Sequence, residues 1–521
     1  MTVLYVLRLL LLGLIDALGI VALVNLWSEE QWAIFAILTF GLIVTNIIML
    51  FQQAYPLRYI FPGLLFFAAF VVYPMFYTVY LSFTNLSVGH LLTKEQVIAQ
   101  LQGKVVSIPN APRFNFWAYA NEEGIPINLI LQDNEGHYHL INIEEQTLDP
   151  IDATDRRLSD PDGDNVFDQV NGFTLLEGRD LLRQMSTFEN LVFPFGEDVV
   201  KVASRDTFTT AKRQFQYDPQ TDQLLELYRF NQSTNTWEFQ DNPPAYEADG
   251  VQGFFVDDAG EVLTPGWQVW VGFDNYLNIF RNPRIMAPFL EVFGWTITFA
   301  LVSVLLTFAL GLFLAILLND KSMKFSKFYR GILILPWAIP AFISIMVWRG
   351  LLNPVGPANL GIPWFTDPTW AKTGLILLNL WLGFPYMMTI ALGALQSIPS
   401  ELYEAAYVDG ASRWKQFWRI TFPLLLVSVG PLLVGSFAFN FNNFNVIFLF
   451  TAGGPPIPEA QTPAGATDIL ISYTYQVAFN GGWGQQYGFA SAITIGIFLL
   501  VATISAINFK FTGALEEVGK E

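Results

Sequence analysis

ELYEAAYVDGASRWKQFWRITFP, residues 401–423, is a polar and charged stretch set between long apolar runs. Pro399-Ser400 can open a helix, and the residues from Glu401 to Val408 are good helix formers. Asp409-Gly410 then stops it. A second segment, residues 412–421, places Arg413, Lys415 and Arg419 between aromatics. Such a loop between apolar spans must lie at a membrane surface, and its basic residues put it on the cytoplasmic side. The reading that follows is an α-helical polytopic membrane protein. It presents a short helix, a glycine turn and a basic amphipathic helix to the cytoplasm, where another protein can grip them.

Working outward, eight apolar runs are each long enough for a bilayer core of about 30 Å, which takes roughly 20 helical residues. They cover residues 3–26, 32–51, 59–83, 288–318, 329–351, 373–395, 422–450 and 487–509. The first lacks a small-residue cleavage site and is read as a retained helix rather than a signal peptide. Its Asp16 is costly in hydrocarbon, so a hydrogen bond to a neighbouring helix is expected there. Arg58, the Lys321/Lys324/Lys327/Arg330 group and the Arg413/Lys415/Arg419 group fall on one side of the membrane if the chain starts there with Arg8. Glu29, Glu30, Asp367 and Asp468 fall on the other. The positive-inside rule therefore predicts both termini in the cytoplasm.

Composition agrees. Hydrophobic residues make up 53% and charged residues 14%, and the mean hydropathy is +0.39. The acidic character sits in one place. Residues 83–285 hold 31 acidic and 14 basic side chains, against 14 and 13 in the rest. An acidic insert argues against nucleic acid and for a domain exposed outside the cytoplasmic membrane. The expected domains are three N-terminal spans (residues 1–83), a periplasmic insert (84–285), and a core of five spans carrying the cytoplasmic loop 399–423 (286–521). The insert reads as mainly β: NLILQDNEGHYHLINI, residues 128–143, alternates around an Asn134-Glu135-Gly136 turn. QTDQLLELYRF and NTWEFQ read as further strands, with helices at residues 93–101 and 177–185.

Catalytic chemistry has little to work with. The chain has no cysteine and three histidines, and it lacks both GxxxxGK[ST] and GxSxG. This chain is therefore not expected to hydrolyse ATP, and no catalytic residue or bound cofactor is assigned. A weak calcium candidate is DPDGDNVFD, with Asp160, Asp162, Asp164 and Asp168. It departs from the EF-hand pattern, with Asn165 where glycine is needed and Asn171 where glutamate is needed. A solvated acidic turn is the plainer alternative. His137 and His139 alternate on one strand, an arrangement more often solvated than metal-binding.

The seventh span is the most polar. SFAFNFNNFNVIF, residues 436–448, sets four asparagines among phenylalanines. Helical spacing would put Phe439, Asn440 and Asn443 on one face. Amides beside a ring suit a sugar, whose hydroxyls take the hydrogen bonds and whose CH face stacks. They equally suit interhelical bonding. WLGFPY (residues 381–386) in span six and LPWAIPAF (335–342) in span five read as helix breaks, tolerated where they line a cavity or as packed kinks.

The spacing Glu404-Ala405-Ala406, Gly410, Ile420 and Pro423 resembles the EAA signature of ABC importer permeases. The stretches RYIFPG, SFTN, GILILPWAIPAFISI, WLGFPYMM, LYEAAYVDGA, SFAFNFNNF and TPAGATDILISYTYQVAF resemble the larger permease subunit of the maltose/maltodextrin type, across all eight spans. The insert matches weakly. The resemblance implies an ATP-coupled oligosaccharide importer assembled from this chain, a smaller permease subunit, a homodimeric cytoplasmic ATPase that carries ATP and magnesium, and a periplasmic sugar-binding protein. It implies ATPase coupling through Glu401, Glu404, Ala405, Ala406 and Gly410. It implies sugar contacts at Phe439, Asn440, Asn443, Leu382, Gly383 and Tyr386. Trp337 and Ala341, also placed in the sugar site, stand where the maltose type has Tyr and Ser; losing a hydroxyl partner alters selectivity, and the expected substrate is maltose/maltodextrin or a related oligosaccharide. A membrane-anchored sugar sensor or scaffold, in which the insert binds and the helices only signal, is the alternative from another class.

Overall fold

The computed structural model describes residues 2–28, 32–50, 56–109, 111–121, 124–159, 166–189, 191–196, 198–205, 207–320, 322–480 and 485–518. It divides into two compact units, Met1–Leu81 and Ser82–Glu521.

In the first unit, α1 (Thr2–Ser28) and α2 (Trp32–Leu50) pair as antiparallel helices. Gly19 lets them approach, since a Cβ there would lie 2.6 Å from Leu42 Cδ1. Asp16 meets its cost as expected: Asn46 Nδ2 donates to Asp16 Oδ1 at 2.8 Å. The third span, Leu57–Leu81, consists of α3 (Leu57–Phe67), a π-helical turn at Ala68–Val72 and α4 (Tyr73–Leu81).

The second unit opens with the insert. α5 (Lys94–Gln102) starts at a capping box on Thr93, and α6 spans Gly178–Glu189. Among the described residues, strands form an eleven-stranded sheet, a five-stranded sheet and a two-stranded hairpin. The expected hairpin is present: Pro126–Gln132 pairs antiparallel with Tyr138–Asn142, turning at Gly136 with φ +89°. Tyr228–Asn231 and Thr236–Phe239 form the separate hairpin. The chain leaves for the insert and returns from it at one knot. Thr84 bridges Trp270, Asn275 Nδ2 donates to the Ser82 and Thr84 carbonyls (2.9 and 2.8 Å), and Tyr276 Oη donates to Ser82 Oγ at 2.7 Å. Ser82 and Thr84 are buried there, which gives SFTN a structural role.

After the insert come α7 (Asp274–Arg281), α8 (Pro283–Asn319), α9 (Ser326–Ala338), α10 (Ala341–Leu352) and α11 (Pro368–Ser397). Next are α12 (Ser400–Val408), α13 (Arg413–Gln416), α14 (Phe422–Phe441), α15 (Phe444–Phe450), α16 (Leu470–Phe479) and α17 (Tyr487–Val518). Helices α8 and α11 run parallel and nearly touch. A Cβ on Gly311 would sit 2.6 Å from the Met388 backbone nitrogen, and one on Gly383 would sit 2.8 Å from Thr307 Cγ2. Small residues permit this approach where lipid supplies no hydrophobic drive between helices. The half of the α8–α11 seam nearer the 399–423 loop is closed by Leu425 and Val429 of α14, the other half by Ile345 of α10 and Val446, Ile447 and Phe450 of α15. A third cluster joins α8 to α16 and α17.

Among the described residues, five helices and one bent pair, α9–α10, are long and apolar enough to cross a membrane, against the eight spans expected. The other two expected spans fall on shorter apolar runs at Leu38–Leu50 and Tyr487–Thr503. Two local readings are corrected. Span six is not interrupted at WLGFPY: α11 runs unbroken from Pro368 to Ser397 with Pro385 inside it, and Gly383 serves the contact with α8. Span seven is not one helix: α14 ends at Phe441, and Asn442 (φ −110°, ψ 20°) and Asn443 (φ −78°, ψ 69°) leave helical geometry before α15 begins. Asparagine side chains compete for backbone partners and favour such ends, and Asn442 Nδ2 donates back to the Ala438 carbonyl at 3.3 Å. The break in span five is present, with α9 and α10 meeting at 87° around Pro340.

Candidate functional site

Because α14 ends early, Phe439, Asn440 and Asn443 do not share a helical face. Phe439 points outward, 68% exposed, whereas Asn440 and Asn443 are buried. The two amides are brought together instead by Asn379 of α11. Asn379 Nδ2 donates to Asn440 Oδ1 at 2.7 Å, and Asn443 Nδ2 approaches Asn379 Oδ1 at 3.4 Å. Asn440 Nδ2 in turn donates to the Ser436 carbonyl at 2.8 Å. The result is a directional chain of three buried amides across α11, α14 and the break before α15. Sequence reading missed Asn379. Its signal was a lone amide in the apolar run LILLNLWL, three residues before Leu382.

Asn379, Leu382, Gly383 and Tyr386 lie at i, i+3, i+4 and i+7, one stripe of α11. Leu382 packs towards the α8–α10–α15 cluster and Gly383 abuts Thr307. Tyr386 is half-buried, with its ring 6.2 Å from that of Trp337, near the end of α9. Trp337 is 58% exposed, and Ala341 is the exposed first residue of α10, just past the bend. The arrangement thus holds a neutral hydrogen-bonding node on one end of the α11 stripe and an aromatic pair on the other. No charged side chain is among these residues. Such a surface suits a neutral polyhydroxylated ligand.

The charged loop forms a separate site. α12 ends in a paired turn: Gly410 N donates to the Tyr407 carbonyl (3.0 Å) and Ala411 N to the Ala406 carbonyl (2.9 Å). Gly410 has φ +76°, the left-handed conformation that this helix stop requires. Ser412 then caps α13, its hydroxyl accepting from Lys415 N at 3.3 Å. Glu401, Glu404 and Ala405 are exposed, and Ala406 is half-buried. Tyr407, Val408 and Trp414 project with 78%, 85% and 71% of their surface exposed, so the turn carries an apolar tip ringed by charge. Nearby, Asp320 is held below the usual carboxylate range by the Ser322 N–H, by the Ser322 hydroxyl and, more weakly, by Arg413.

On the opposite side of the bundle, the loop between α15 and α16 wraps a buried carboxylate. Gly465 N donates to Asp468 Oδ2 at 2.8 Å and Ser472 Oγ to Oδ1 at 2.7 Å. Burial pushes Asp468 up to about 7 against these two bonds. Of the calcium candidate, Asp160, Asp162 and Asp164 lie outside the described residues, and Asp168 is exposed on its loop. Among the described residues there is no group of three metal-ligating side chains. His137 bonds to Asp133 Oδ2 at 3.0 Å in the turn, and His139 packs against the Phe114 and Phe195 rings.

Two family models match the chain. Residues 307–511 match the binding-protein-dependent transport system inner membrane component, and residues 65–140 match the N-terminal region of the transmembrane subunit in PBP-dependent ABC transporters. The maltose/maltodextrin transport system permease protein MalF of Photorhabdus laumondii is 35% identical over 504 residues, covering 94% of this chain and 93% of that protein. The protein of the same name from Escherichia coli K12 is 36% identical over 516 residues, covering 96% and 95%. A crystal structure of a bacterial ABC transporter involved in the import of the acidic polysaccharide alginate superposes with a TM-score of 0.40 at 26% identity, over 47% of this chain and 84% of that one. Near-complete coverage at this identity settles the family: the chain belongs to the MalF-type permeases of binding-protein-dependent ABC importers.

Proposed function

We propose that this chain is the larger permease subunit of an inner-membrane ABC importer for maltodextrins or a closely related neutral oligosaccharide. The observation that carries the substrate class is the Asn379–Asn440–Asn443 chain beside the Trp337–Tyr386 pair. Each amide there uses only part of its hydrogen-bonding capacity on its neighbours, and a sugar hydroxyl both donates and accepts. A site that bonds hydroxyls rejects ligands lacking them strongly, because its buried amides would be left unpaired. Phe439, exposed beside Asn440, and the Trp337 and Tyr386 rings supply apolar faces for the CH side of a pyranose.

The polypeptide is the transmembrane component and not the ATPase. Its partners would be a smaller permease subunit, two copies of a cytoplasmic ATPase and a periplasmic sugar-binding protein. The apolar tip of Tyr407, Val408 and Trp414, with Glu401 and Glu404 beside it, would enter the ATPase. The acidic insert would face the periplasm and the binding protein, with both termini in the cytoplasm. The sensor alternative loses ground to the exposed loop, which a signalling scaffold does not need.

The test is uptake by proteoliposomes holding the complex copurified on this chain, with labelled maltose, maltotriose and longer dextrins. ATP-dependent accumulation of at least one is expected, and the Asn440→Ala/Asn443→Ala double variant should assemble but transport poorly. Unchanged uptake by that variant would remove the substrate site from these residues.

A further inference from the structure

We infer that the hydrogen bond between Tyr403 and Thr421 is the fastener that makes the cytoplasmic loop and helix α14 move as one piece. The inference rests on the reading of that loop as an ATPase-docking element. It concerns a bond that the docking surface itself does not contain.

Along α12 only Tyr403 and Ala406 turn inward, one helical turn apart, while the remaining residues from Glu401 to Val408 are exposed. The Tyr403 hydroxyl meets the Thr421 hydroxyl at 3.0 Å. Thr421 is buried and is the last residue of a π-helical turn, Phe417–Thr421, that joins α13 to α14 without a break. A π turn inside an α-helix is an irregularity frequent at functional sites. This one is stiffened by rings: Trp414, Phe417, Trp418 and Phe422 pack successively, with centroids 5.1 to 6.1 Å apart. From Arg413 to Phe441 the chain is one continuous helical rod of 29 residues, about 43 Å long at 1.5 Å per residue.

The far end of that rod carries Asn440, bonded to Asn379 of α11. Whatever moves the root of α14 therefore acts on the amide node. The turn between α12 and the rod contains Gly410, and a glycine turn can flex. Gln416 Nε2 steadies it by donating to the Ala411 carbonyl at 3.1 Å. The Tyr403–Thr421 bond spans the turn from helix to helix, so a displacement of α12 reaches α14 instead of being absorbed at Gly410. Tyr403 is thus a positioning residue, acting through Thr421 and not on the sugar.

This chain has no cysteine, so it is labelled at two introduced positions before assembly with its unlabelled partners. With spin labels at Leu402→Cys on α12 and Leu432→Cys on α14, the interlabel distance is measured in the assembled complex with and without ATP and vanadate. A narrow distribution in both states is expected with Tyr403 present, and a broad one in the Tyr403→Phe and Thr421→Val variants. Thr421→Ser, which keeps the hydroxyl, should restore the narrow form. Maltotriose taken up per ATP hydrolysed should fall about two- to tenfold in the two disrupting variants, the range that the loss of one hydrogen bond permits. Copurification of the ATPase should be unchanged. A distribution that stays narrow in Tyr403→Phe overturns the inference, as does one that broadens while uptake per ATP stays constant. If the unsubstituted complex takes up no maltotriose, the sugar assignment fails, and the distance distributions still decide the fastener.

Discussion

Asn379 donates a 2.7 Å hydrogen bond to Asn440 across 61 residues of chain, and both side chains are buried. The bond joins α11, held against α8 by Gly383 and Gly311, to the end of the rod that rises from the 399–423 loop. Asn379→Ala should therefore weaken the protein in two ways. It leaves the Asn440 carbonyl and the Asn443 amide without their partner, which costs about 1–3 kcal/mol each where burial is complete. It also opens the node that the sugar is proposed to use. The expected result is uptake reduced at least about tenfold with a lowered melting temperature. Ser436, by contrast, contributes only its carbonyl, so Ser436→Ala should transport normally. Uptake assays and thermal melts of the two variants side by side check the contrast.

The glycine turn of the loop makes a second prediction. Gly410 holds φ +76°, and a Cβ there meets no steric obstacle from other residues. The penalty for a side chain is therefore conformational alone, about 1–2 kcal/mol for an L-residue in the left-handed region. Gly410→Val should disorder the end of α12 and release the ATPase from the complex. Gly410→Asn, a residue that tolerates this conformation, should retain most of it. The measurement is the amount of ATPase copurifying with each variant.

Much of this was legible beforehand, and the reasons are physical. Lipid forces long apolar runs, so the long apolar helices could be drawn from composition, and charge bias alone divides the basic loops from the acidic ones. Pro340 broke its span as read, because Ile339 before it is extended. Pro385 did not, because it sits inside the α8–α11 seam where packing on both sides holds the helix. The close approach beside it is between Gly383 and Thr307, 76 positions apart and outside any local window. The break at Asn442-Asn443 was missed for the opposite reason: an apolar run was extended through residues whose side chains favour helix ends. Asn379 was missed because one amide in an apolar helix has no local pattern, and its meaning comes only with its partners. In the insert, the hairpin at Gly136 was readable, while the order of strands in the large sheet depends on long-range pairings such as Phe208 with Phe114.

Asp468 sets a pH dependence whose sign can be worked out. Its value in the folded protein is about 7, above the ordinary 3.8, so the folded state binds the proton more tightly than the unfolded one. The stability it contributes is complete below about pH 4 and is lost as pH rises through 7. Asn at this position imitates the protonated acid: its carbonyl can accept from Gly465 N and its amide can donate to Ser472 Oγ. From pH 5.5 to 8 the melting temperature of the unsubstituted chain should fall relative to Asp468→Asn, by an amount on the order of a few degrees. Parallel melts in detergent across that range read the difference, and curves that stay parallel would exclude a buried titrating carboxyl here.

Trp337 and Ala341 should tune which sugar passes. They lie on either side of the 87° bend at Pro340, with Trp337 facing Tyr386. Trp337 presents one N–H donor on a large ring, and Ala341 presents no hydrogen-bonding group. Trp337→Tyr adds a hydroxyl that both donates and accepts, and Ala341→Ser adds another on the first turn of α10. Each new hydroxyl favours a ligand that can pair with it over one that cannot, and a neutral hydrogen bond of this kind is worth roughly 0.5–1.5 kcal/mol. The double variant should therefore shift the ratio of maltose to maltotetraose uptake about tenfold relative to the unsubstituted complex, with total ATP hydrolysis unchanged because neither residue contacts the loop. Competition assays with the two sugars at equal concentration measure the ratio directly. An unaltered ratio would place both side chains outside the path of the sugar and leave selection to the amide chain of Asn379, Asn440 and Asn443 with the Phe439 and Tyr386 rings.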